Sequence, residues 1–393
     1  MRRKAVIIGA LLGSLTLCWA FTLLDKAGVL TERTVYVETS DLHSHPGIDI
    51  LDANNAFFTV TEVEPNRPEV RWAKAVIHAD DPTCRTAKRN GPLVTVMGRL
   101  NDDRQYPVVI DTGCTLPMIV SDLVVLENGL EVFPIKAGPG LGGLCHVDQV
   151  EIGDITISRP PCYYASHHCE RRRFGRTTWQ EKRIILGLGL LRRCRYVLID
   201  NVVSEVTFGL AGSFTPTPNE SWRQFPMSIE GKNGNMLRIM VDIPIARQTR
   251  RIAMDTGAAW NLWVARPVWE TLAGEVRVVK RSLSRSQMFH GFVGTERVTV
   301  AGLRVGERTL STATIAVLDE DATDEPDLFL LGMGNFADTA ITLDFEHNLL
   351  WVRNPEDGKS QQVRTSSQPN PHTRRKTRQG IAERPEESLI VGP

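Results

Sequence analysis

The tripeptide Asp-Thr-Gly occurs twice in the chain, at residues 111–113 and 255–257, and each copy ends an apolar run. A single exposed Asp is only a hydrogen-bond acceptor with a pKa of about 3.9. When two carboxylates come within hydrogen-bonding reach, they cannot both ionise cheaply, so one stays protonated while the other is charged. The charged member can deprotonate a water while the protonated member polarises a carbonyl group. The pattern therefore predicts hydrolysis by general acid–base catalysis at Asp111 and Asp255.

The residues that follow each aspartate suit this chemistry. Gly113 and Gly257 allow a tight turn that exposes the carboxylate, and a backbone N–H in the turn can donate a hydrogen bond to it. Thr112 and Thr256 carry hydroxyl groups that, once buried, can brace the two turns against each other. The alternative interpretation is a pair of unrelated Asp-containing turns.

Landmarks around the two tripeptides repeat at an offset of 144 or 145 residues. A leucine lies 18 residues before each aspartate, a Gly-containing apolar element begins 75 or 76 residues after it, and an apolar stretch with an Asp comes next. These landmarks are Leu93 and Leu237, residues 186–189 and 331–334, and residues 196–200 and 341–344. Such regular repetition indicates an internal duplication. The sequence therefore predicts two like lobes, each offering one carboxylate.

Composition sets limits on the class of protein. A chain of 393 residues with 42% hydrophobic residues is long and apolar enough for two or three domains with real cores. Lys+Arg and Asp+Glu both number 46, so the formal net charge is zero and implies no general attraction to nucleic acid. A Gly-rich turn at 137–143 is not followed by a helix pattern, which argues against a nucleotide-binding loop.

The N-terminal segment predicts export. Residues 2–4 are basic, and residues 5–24 are apolar without a charge, which is about the length that spans a bilayer. Two interpretations stay open for residues 1–24, a cleaved signal peptide and a retained membrane anchor. Either way the basic flank favours an extracytoplasmic location, in the periplasm, at the cell envelope or secreted, with membrane contact only through this segment.

Cysteine usage agrees with export. Of the seven cysteines, one lies in the apolar segment, and the other six lie in or beside the first predicted lobe: Cys84, Cys114, Cys145, Cys162, Cys169 and Cys194. In an oxidising compartment these six allow up to three disulfides, with fifteen possible connectivities. Cys162 and Cys169 are the best local pair. With His146, His167 and His168 nearby a zinc site is imaginable, but the ligand spacing fits no standard pattern, so we expect no metal.

Short β-rich runs with Gly and Pro between them predict an all-β fold. We expect residues 25–90 to be a pro-region, a spacer or added strands, 91–210 the first lobe, and 211–228 a linker containing Thr215-Pro216-Thr217-Pro218. Residues 229–353 are expected to form the second lobe. Residues 354–393 are polar and rich in Gln, Ser, Pro and Arg, which predicts a disordered tail.

Each Asp-Thr-Gly turn is followed by an apolar-apolar-Gly element, at 185–187 and 330–332. With these elements, residues 91–353 resemble the pepsin/retropepsin clan of aspartic peptidases, in the form of two fused retropepsin-like lobes of an exported bacterial type. The resemblance implies a bilobal aspartic-peptidase (acid protease) fold whose cleft holds Asp111 and Asp255 as the catalytic pair. It also implies a polypeptide substrate, no cofactor and a monomer. Thr112 and Thr256 would form the brace between the lobes, and Gly113 and Gly257 would shape the turns.

Flap candidates in this resemblance are Gly140, Gly142 and Gly291. The sequence also departs from the pepsin pattern in two ways. Cys114 and Ala258 occupy positions where pepsins usually carry Ser or Thr, and no Tyr occurs between Asp111 and Cys162 to serve as a flap tyrosine. A second hypothesis therefore remains, a catalytically weak or inactive retropepsin-like binding or assembly module at the cell envelope. A third is other hydrolytic or metal-dependent chemistry built on Cys and His.

Overall fold

The computed structural model describes residues 93–355, apart from 102–103, 135–140, 166, 174–175, 181, 233–235, 289–290, 320–322 and 324. It also describes the backbone of three earlier strands, at 33–38, 57–60 and 72–76. The predicted signal peptide or anchor at 1–24 and all but the first two residues of the predicted tail at 354–393 lie outside these ranges. Within them, no helix is long and apolar enough to cross a membrane.

Strands dominate the described chain, and the prediction of an all-β protein is confirmed. In chain order the strands are β1 (Arg33–Glu38), β2 (Phe57–Val60), β3 (Trp72–Val76), β4 (Thr95–Leu100), β5 (Gln105–Asp111), β6 (Met118–Val120), β7 (Val132–Pro134), β8 (Leu141–Cys145), β9 (Gln149–Ile152), β10 (Ile155–Ser158), β11 (Cys162–Ala165), β12 (His167–Arg173), β13 (Arg176–Gln180), β14 (Ile184–Gly187), β15 (Tyr196–Asp200), β16 (Glu205–Gly209), β17 (Trp222–Lys232), β18 (Met236–Ile245), β19 (Gln248–Asp255), β20 (Leu262–Ala265), β21 (Arg277–Met288), β22 (Gly291–Val305), β23 (Arg308–Leu318), β24 (Phe329–Gly332), β25 (Ala340–Asp344) and β26 (Leu349–Arg353). The helices are short: α1 (Asp122–Asn128), α2 (Leu188–Leu191), α3 (Arg266–Ala273) and a 3-10 turn at Met333–Asn335.

The described strands form three sheets. One has the order β1-β12-β13, and a second has the order β2-β10-β9-β4-β5-β14-β6-β11-β8-β7. The third has the order β21-β22-β23-β20-β24-β19-β18-β17-β26-β25-β15-β16-β3. Strands β1, β2 and β3 each pair with a later strand. The assignment of residues 25–90 to a pro-region, a spacer or added strands stays a prediction.

The strands at each Asp-Thr-Gly turn are paired in the same way. β5 ends at Asp111 and runs parallel to β14, which is antiparallel to β6. β19 ends at Asp255 and runs parallel to β24, which is antiparallel to β20. In both cases the aspartate is opposite the Gly of the apolar-apolar-Gly element, Gly187 or Gly332. We call residues 93–200 the first copy and residues 237–344 the second copy.

A sheet also joins the ends of the two copies. β15 of the first copy is antiparallel to β25 of the second copy, and β17, which begins at Trp222 inside the expected linker, pairs with β26. The Arg353 guanidinium in β26 makes a two-pronged ion pair with the Asp200 carboxylate in β15, at 2.7 and 2.9 Å, and both side chains are buried. The division at residues 210 and 228 stays a prediction, because strands on both sides of it share this sheet.

The core around the turns follows from the strand pattern. β-Branched and leucine side chains of β5 and β14, such as Val108, Ile110, Ile184 and Leu186, are almost fully buried. Parallel central strands of this kind are covered on both faces and read as continuous apolar runs. This packing holds the end of β5, and hence Asp111, in a fixed position.

Candidate active site

The two aspartates lie in turns with the same backbone hydrogen bonds. The N–H of Cys114 donates to the carbonyl of Asp111, and the N–H of Ala258 donates to the carbonyl of Asp255, each at 3.3 Å. The Gly113 N–H donates to Asp111 Oδ1 at 2.9 Å, and the Gly257 N–H donates to Asp255 Oδ1 at 2.8 Å. The turns thus orient both carboxylates through their own backbone, as the sequence predicted.

Thr112 and Thr256 connect the turns through four buried hydrogen bonds. The N–H of each threonine donates to the hydroxyl of the other at 3.0 Å. The Thr112 hydroxyl donates to the Met254 carbonyl at 3.1 Å, and the Thr256 hydroxyl donates to the Ile110 carbonyl at 2.6 Å. Both side chains are fully buried. The expected brace is therefore present, and it fixes the distance between the two turns.

This brace brings the two carboxyl groups together. A β-carbon built on Gly113 would lie 2.6 Å from Cγ of Asp255, and one built on Gly257 would lie 2.5 Å from Cγ of Asp111. Each carboxyl group therefore packs against the glycine of the opposite turn, where only hydrogen fits. The carboxyl groups of Asp111 and Asp255 are within hydrogen-bonding reach of each other.

The environments of the two carboxyl groups differ. Burial raises the pKa of Asp255 to about 8, with the negative charge of Asp111 as the second cause. Burial also raises the pKa of Asp111 above its usual value, but a hydrogen bond from Asp255 and the N–H groups of Gly113 and Cys114 oppose that rise. Backbone N–H groups, those of Gly257 and Gly113, also lower the pKa of Asp255. The two groups differ in the hydrogen bond between them, in which Asp255 is the donor, so the shared proton belongs on Asp255 and the charge on Asp111.

A glycine behind each turn allows the close approach of another backbone segment. A side chain on Gly187 would clash with the carbonyl oxygen of Leu116, and one on Gly332 would clash with that of Trp260. In both copies the residue after this glycine donates its N–H to the turn. The Leu188 N–H donates to the Cys114 carbonyl at 2.7 Å, and the Met333 N–H donates to the Ala258 carbonyl at 2.8 Å. The apolar-apolar-Gly elements therefore support the turns directly.

Cys114 and Ala258 hold equivalent places beside the aspartates but offer no hydroxyl. The Cys114 thiol lies 3.8 Å from the Leu116 carbonyl, and burial raises the pKa of this thiol well above its usual range. Ala258 is buried in a small apolar cluster with Trp260 and Trp263. The raised pKa keeps the Cys114 thiol protonated. Because the thiolate is the reactive form of cysteine, this argues against Cys114 as a nucleophile.

The two flap candidates that the structure describes, Gly142 and Gly291, lie on two hairpins. Gly140 lies outside the described residues, whereas Gly142 lies in β8, which pairs with β7. A side chain at Gly142 would collide with the ring of Tyr164 on β11, so this glycine admits the ring. Gly291 begins β22 and pairs with Met288 of β21. Gly142 and Gly291 thus lie on corresponding hairpins of the two copies.

Two further contacts near the turns were not anticipated from the sequence. The Thr115 hydroxyl accepts a hydrogen bond from the Leu237 N–H at 3.1 Å and donates to the Leu237 carbonyl at 3.3 Å, which links the copies a second time. The Arg297 guanidinium lies over the Trp260 ring, 4.2 Å from its centre. The only signal in the sequence for these contacts was that Thr115 and Trp260 come within a few residues after the two tripeptides.

Among the described residues, no three His, Cys, Asp or Glu side chains are placed to hold a metal ion. The zinc alternative depended on His167, His168 and Cys169 in β12, whose side chains lie outside the description.

Comparison with known proteins adds little to this geometry. No family model matches the chain, and no curated protein matches it. Among solved structures, basic 7S globulin from soybean is similar with 9% sequence identity and a TM-score of 0.39, over 72% of this chain and 96% of that chain. A similarity of this size assigns neither a fold family nor an activity.

Proposed function

We propose that the chain is an aspartic endopeptidase with the bilobal fold of the pepsin/retropepsin clan, in which a cleft between the two copies receives a polypeptide. The observation that carries the proposal is the reciprocal hydrogen bonding of Thr112 and Thr256, which holds two carboxyl groups from repeated turns against each other. A pair of unrelated Asp-containing turns would have no reason to share such a brace.

In the proposed mechanism Asp111 and Asp255 divide the acid and base roles. Charged Asp111 takes a proton from a water, whose oxygen attacks the carbonyl carbon of the scissile peptide bond. Asp255 gives its proton to the carbonyl oxygen, so a neutral tetrahedral diol forms. The proton held by Asp111 then passes to the leaving nitrogen while Asp255 recovers one from the diol, and the C–N bond breaks. Neither aspartate forms a covalent bond to the substrate.

The surroundings of the pair suit this division of roles. A base needs to be charged at the working pH, and the N–H groups of Gly113 and Cys114 favour the charged form of Asp111. An acid needs to be protonated at that pH, and Asp255, with a pKa of about 8, meets this condition up to neutrality. We therefore propose activity from weakly acidic to near-neutral pH, with loss above about 8.

Both carboxyl groups come from one chain, so a monomer suffices for the proposed site. We also propose an extracytoplasmic location, on the strength of the basic and apolar segment at 1–24. Cys114 in place of a Ser or Thr, and the absence of a Tyr between Asp111 and Cys162, support the second candidate, a retropepsin-like module that binds a polypeptide without cleaving it.

Cleavage of an unfolded protein tests the proposal. The full chain is incubated with a reduced, alkylated and fluorescently labelled protein from pH 4 to pH 9, with and without a statine-type inhibitor that mimics the tetrahedral intermediate. We expect cleavage that the inhibitor blocks and that the Asp111→Asn variant lacks. Saturable binding of the inhibitor without any cleavage would support the binding module, and cleavage that survives in Asp111→Asn would contradict the assigned chemistry.

A further inference from the structure

Two buried cysteines face each other in the first copy. Cys145 ends β8 and Cys162 begins β11, and the two residues are directly opposite in the antiparallel register. Their sulfur atoms are 3.2 Å apart, and the side chains are 1% and 0% exposed. Among the cysteine side chains that the structure describes, this is the one sulfur–sulfur contact; all four are free thiols.

The backbone geometry of this pair suits a disulfide. Residues directly opposite in an antiparallel pair have α-carbons roughly 4.5–5.5 Å apart. Disulfides join cysteines whose α-carbons are roughly 4.4–6.8 Å apart, with an S–S bond of about 2.0 Å. The sulfur atoms therefore need to approach by only about 1 Å, which rotation of the two short side chains can supply without moving a strand.

We propose that Cys145 and Cys162 form a disulfide when the chain folds in an oxidising compartment. The inference does not depend on peptidase activity. It replaces the pairing of Cys162 with Cys169, which sequence proximity favoured. The bond would fasten β8, one strand of the hairpin that carries the flap candidate Gly142, to β11. Since β11 runs beside β6, which follows the Asp111 turn, the link would secure one wall of the site.

The reaction is a thiol–disulfide exchange with an external disulfide, such as glutathione disulfide or an oxidoreductase. One cysteine thiolate attacks that disulfide and releases the first external thiol, which leaves a mixed disulfide on the chain. The second cysteine sulfur then attacks the mixed disulfide and releases the second external thiol. Two protein thiols are oxidised, one external disulfide is reduced to two thiols, and the two protein protons end on those thiols.

Burial determines when this exchange takes place. In the folded chain it raises the pKa of the Cys162 thiol well above its usual range, so the reactive thiolate is scarce. Oxidants also have no access to a fully buried sulfur. The exchange therefore belongs to folding, before β8 closes on β11, and reduced protein that has already folded should oxidise slowly.

Peptide mapping tests the pairing. The full chain is refolded in a buffer of reduced and oxidised glutathione, denatured without reductant in the presence of an alkylating agent, digested and analysed by mass spectrometry. We expect a peptide pair joined through Cys145 and Cys162. Alkylation of both cysteines, or a peptide that joins Cys162 to Cys169 or another cysteine, would overturn the proposal.

Thermal unfolding adds an independent measurement with a matched control. Cys145→Ala and Cys162→Ala remove the bond, whereas Cys194→Ala removes a similarly buried thiol outside the pair. For a closed loop of this length we expect reductant to lower the Tm of wild type and Cys194→Ala by roughly 5–10 °C more than that of the other two. Equal responses in all four proteins would contradict the bond. If the pair variants do not fold, the peptide map decides alone.

Discussion

The two Asp-Thr-Gly turns have the same backbone conformation, but the surroundings of their carboxyl groups differ. Asp111 Oδ1 accepts hydrogen bonds from the N–H groups of Gly113 and Cys114, at 2.9 and 3.1 Å. In its own turn, Asp255 Oδ1 accepts a bond from Gly257 at 2.8 Å, and the Ala258 N–H donates to the backbone carbonyl of Asp255. Duplication therefore supplies two equivalent positions. The hydrogen bond from Asp255 to Asp111 and the negative charge of Asp111 place the shared proton on Asp255.

The hairpins of the two copies differ as well. In the first copy β7 and β8 have 3 and 5 residues, and β8 carries one of the paired cysteines. In the second copy β21 and β22 have 12 and 15 residues, and the whole copy lacks cysteine. The long hairpin has many backbone pairings, whereas β8 of the short one pairs with β11 at the two cysteines. Equivalent segments thus differ in strand length and in cysteine content.

The largest loss of turnover is expected on replacing the aspartates, and it should be the same whichever copy is changed. If Asp111 and Asp255 act as one unit, Asp111→Asn, Asp255→Asn and the double variant should all lose turnover by roughly 10³-fold or more, without additivity. The measurement is kcat/KM on one peptide for all three variants. A single variant that keeps a third of the wild-type rate would break the assignment.

These variants should still fold, which separates lost chemistry from lost structure. The pKa of Asp255 is raised from 3.8 to about 8 in the folded state. Its contribution to the free energy of unfolding is therefore present below pH 3.8 and lost as the pH rises through about 8. Asp255→Asn should be at least as stable as wild type at pH 7, and thermal unfolding from pH 4 to pH 8 measures this.

The glycines test the close approach of the carboxyl groups. Gly113→Ala and Gly257→Ala place a methyl group against the opposite aspartate, and displacement of a catalytic group by about 1 Å can cost roughly 10²-fold in rate. We expect losses of that order in kcat, equal in the two copies. Gly294→Ala is the control, because a β-carbon there meets no atom within 4 Å. Wild-type rates in the two turn variants would contradict the geometry.

The threonine brace should show its symmetry in stability. Thr112→Val and Thr256→Val each leave a buried N–H and a buried carbonyl without a partner, at roughly 1–3 kcal/mol for each group. We expect similar decreases in the free energy of unfolding, measured by urea titration. Thr342→Val is the matched control, since the buried Thr342 hydroxyl makes no hydrogen bond and its loss should be neutral. Unequal decreases in the free energy of unfolding of Thr112→Val and Thr256→Val would contradict a symmetric brace.

The smallest effect concerns the residues that follow the tripeptides. A hydroxyl at position 258 can donate to the Asp255 carboxylate and favour its charged form, so Ala258→Ser should lower the upper apparent pKa by about half a unit to one unit. Cys114→Ala should leave the profile in place, because the thiol points to the Leu116 carbonyl. The pH dependence of kcat/KM decides, and identical profiles or an upward shift in Ala258→Ser would refute this tuning.

Sequence reasoning predicted the parts of the site that local chemistry dictates. Two aspartates after apolar strands, glycines that leave room and threonines that brace were all expected, because each follows from residue type within one turn. The protonation difference was not predictable. It depends on which carboxyl group donates to the other across the two turns, and two copies of the same tripeptide give no sign of that.

Long-range register was also beyond the sequence. Cys162 is seven positions from Cys169 but faces Cys145, because β9 and β10 intervene and bring β8 and β11 together. Similarly, nothing in the sequence indicated that the missing side chain of Gly142, a flap candidate, makes room for the Tyr164 ring. The pairing of β15 with β25 crosses the expected linker, since backbone hydrogen bonds between distant strands leave no local signal.

Titration of the aspartate carboxyl carbons tests the central claim, a proton shared unequally by Asp111 and Asp255, without any substrate. The full chain is labelled with ¹³C at the Asp carboxyl position, and the two signals are assigned with the Asp111→Asn and Asp255→Asn variants. We predict that the pair titrates in two steps, the upper at a pH of about 8, and that this step is absent in Asp255→Asn and lower in Asp111→Asn. Two independent titrations near the ordinary value of 3.8 would contradict the account.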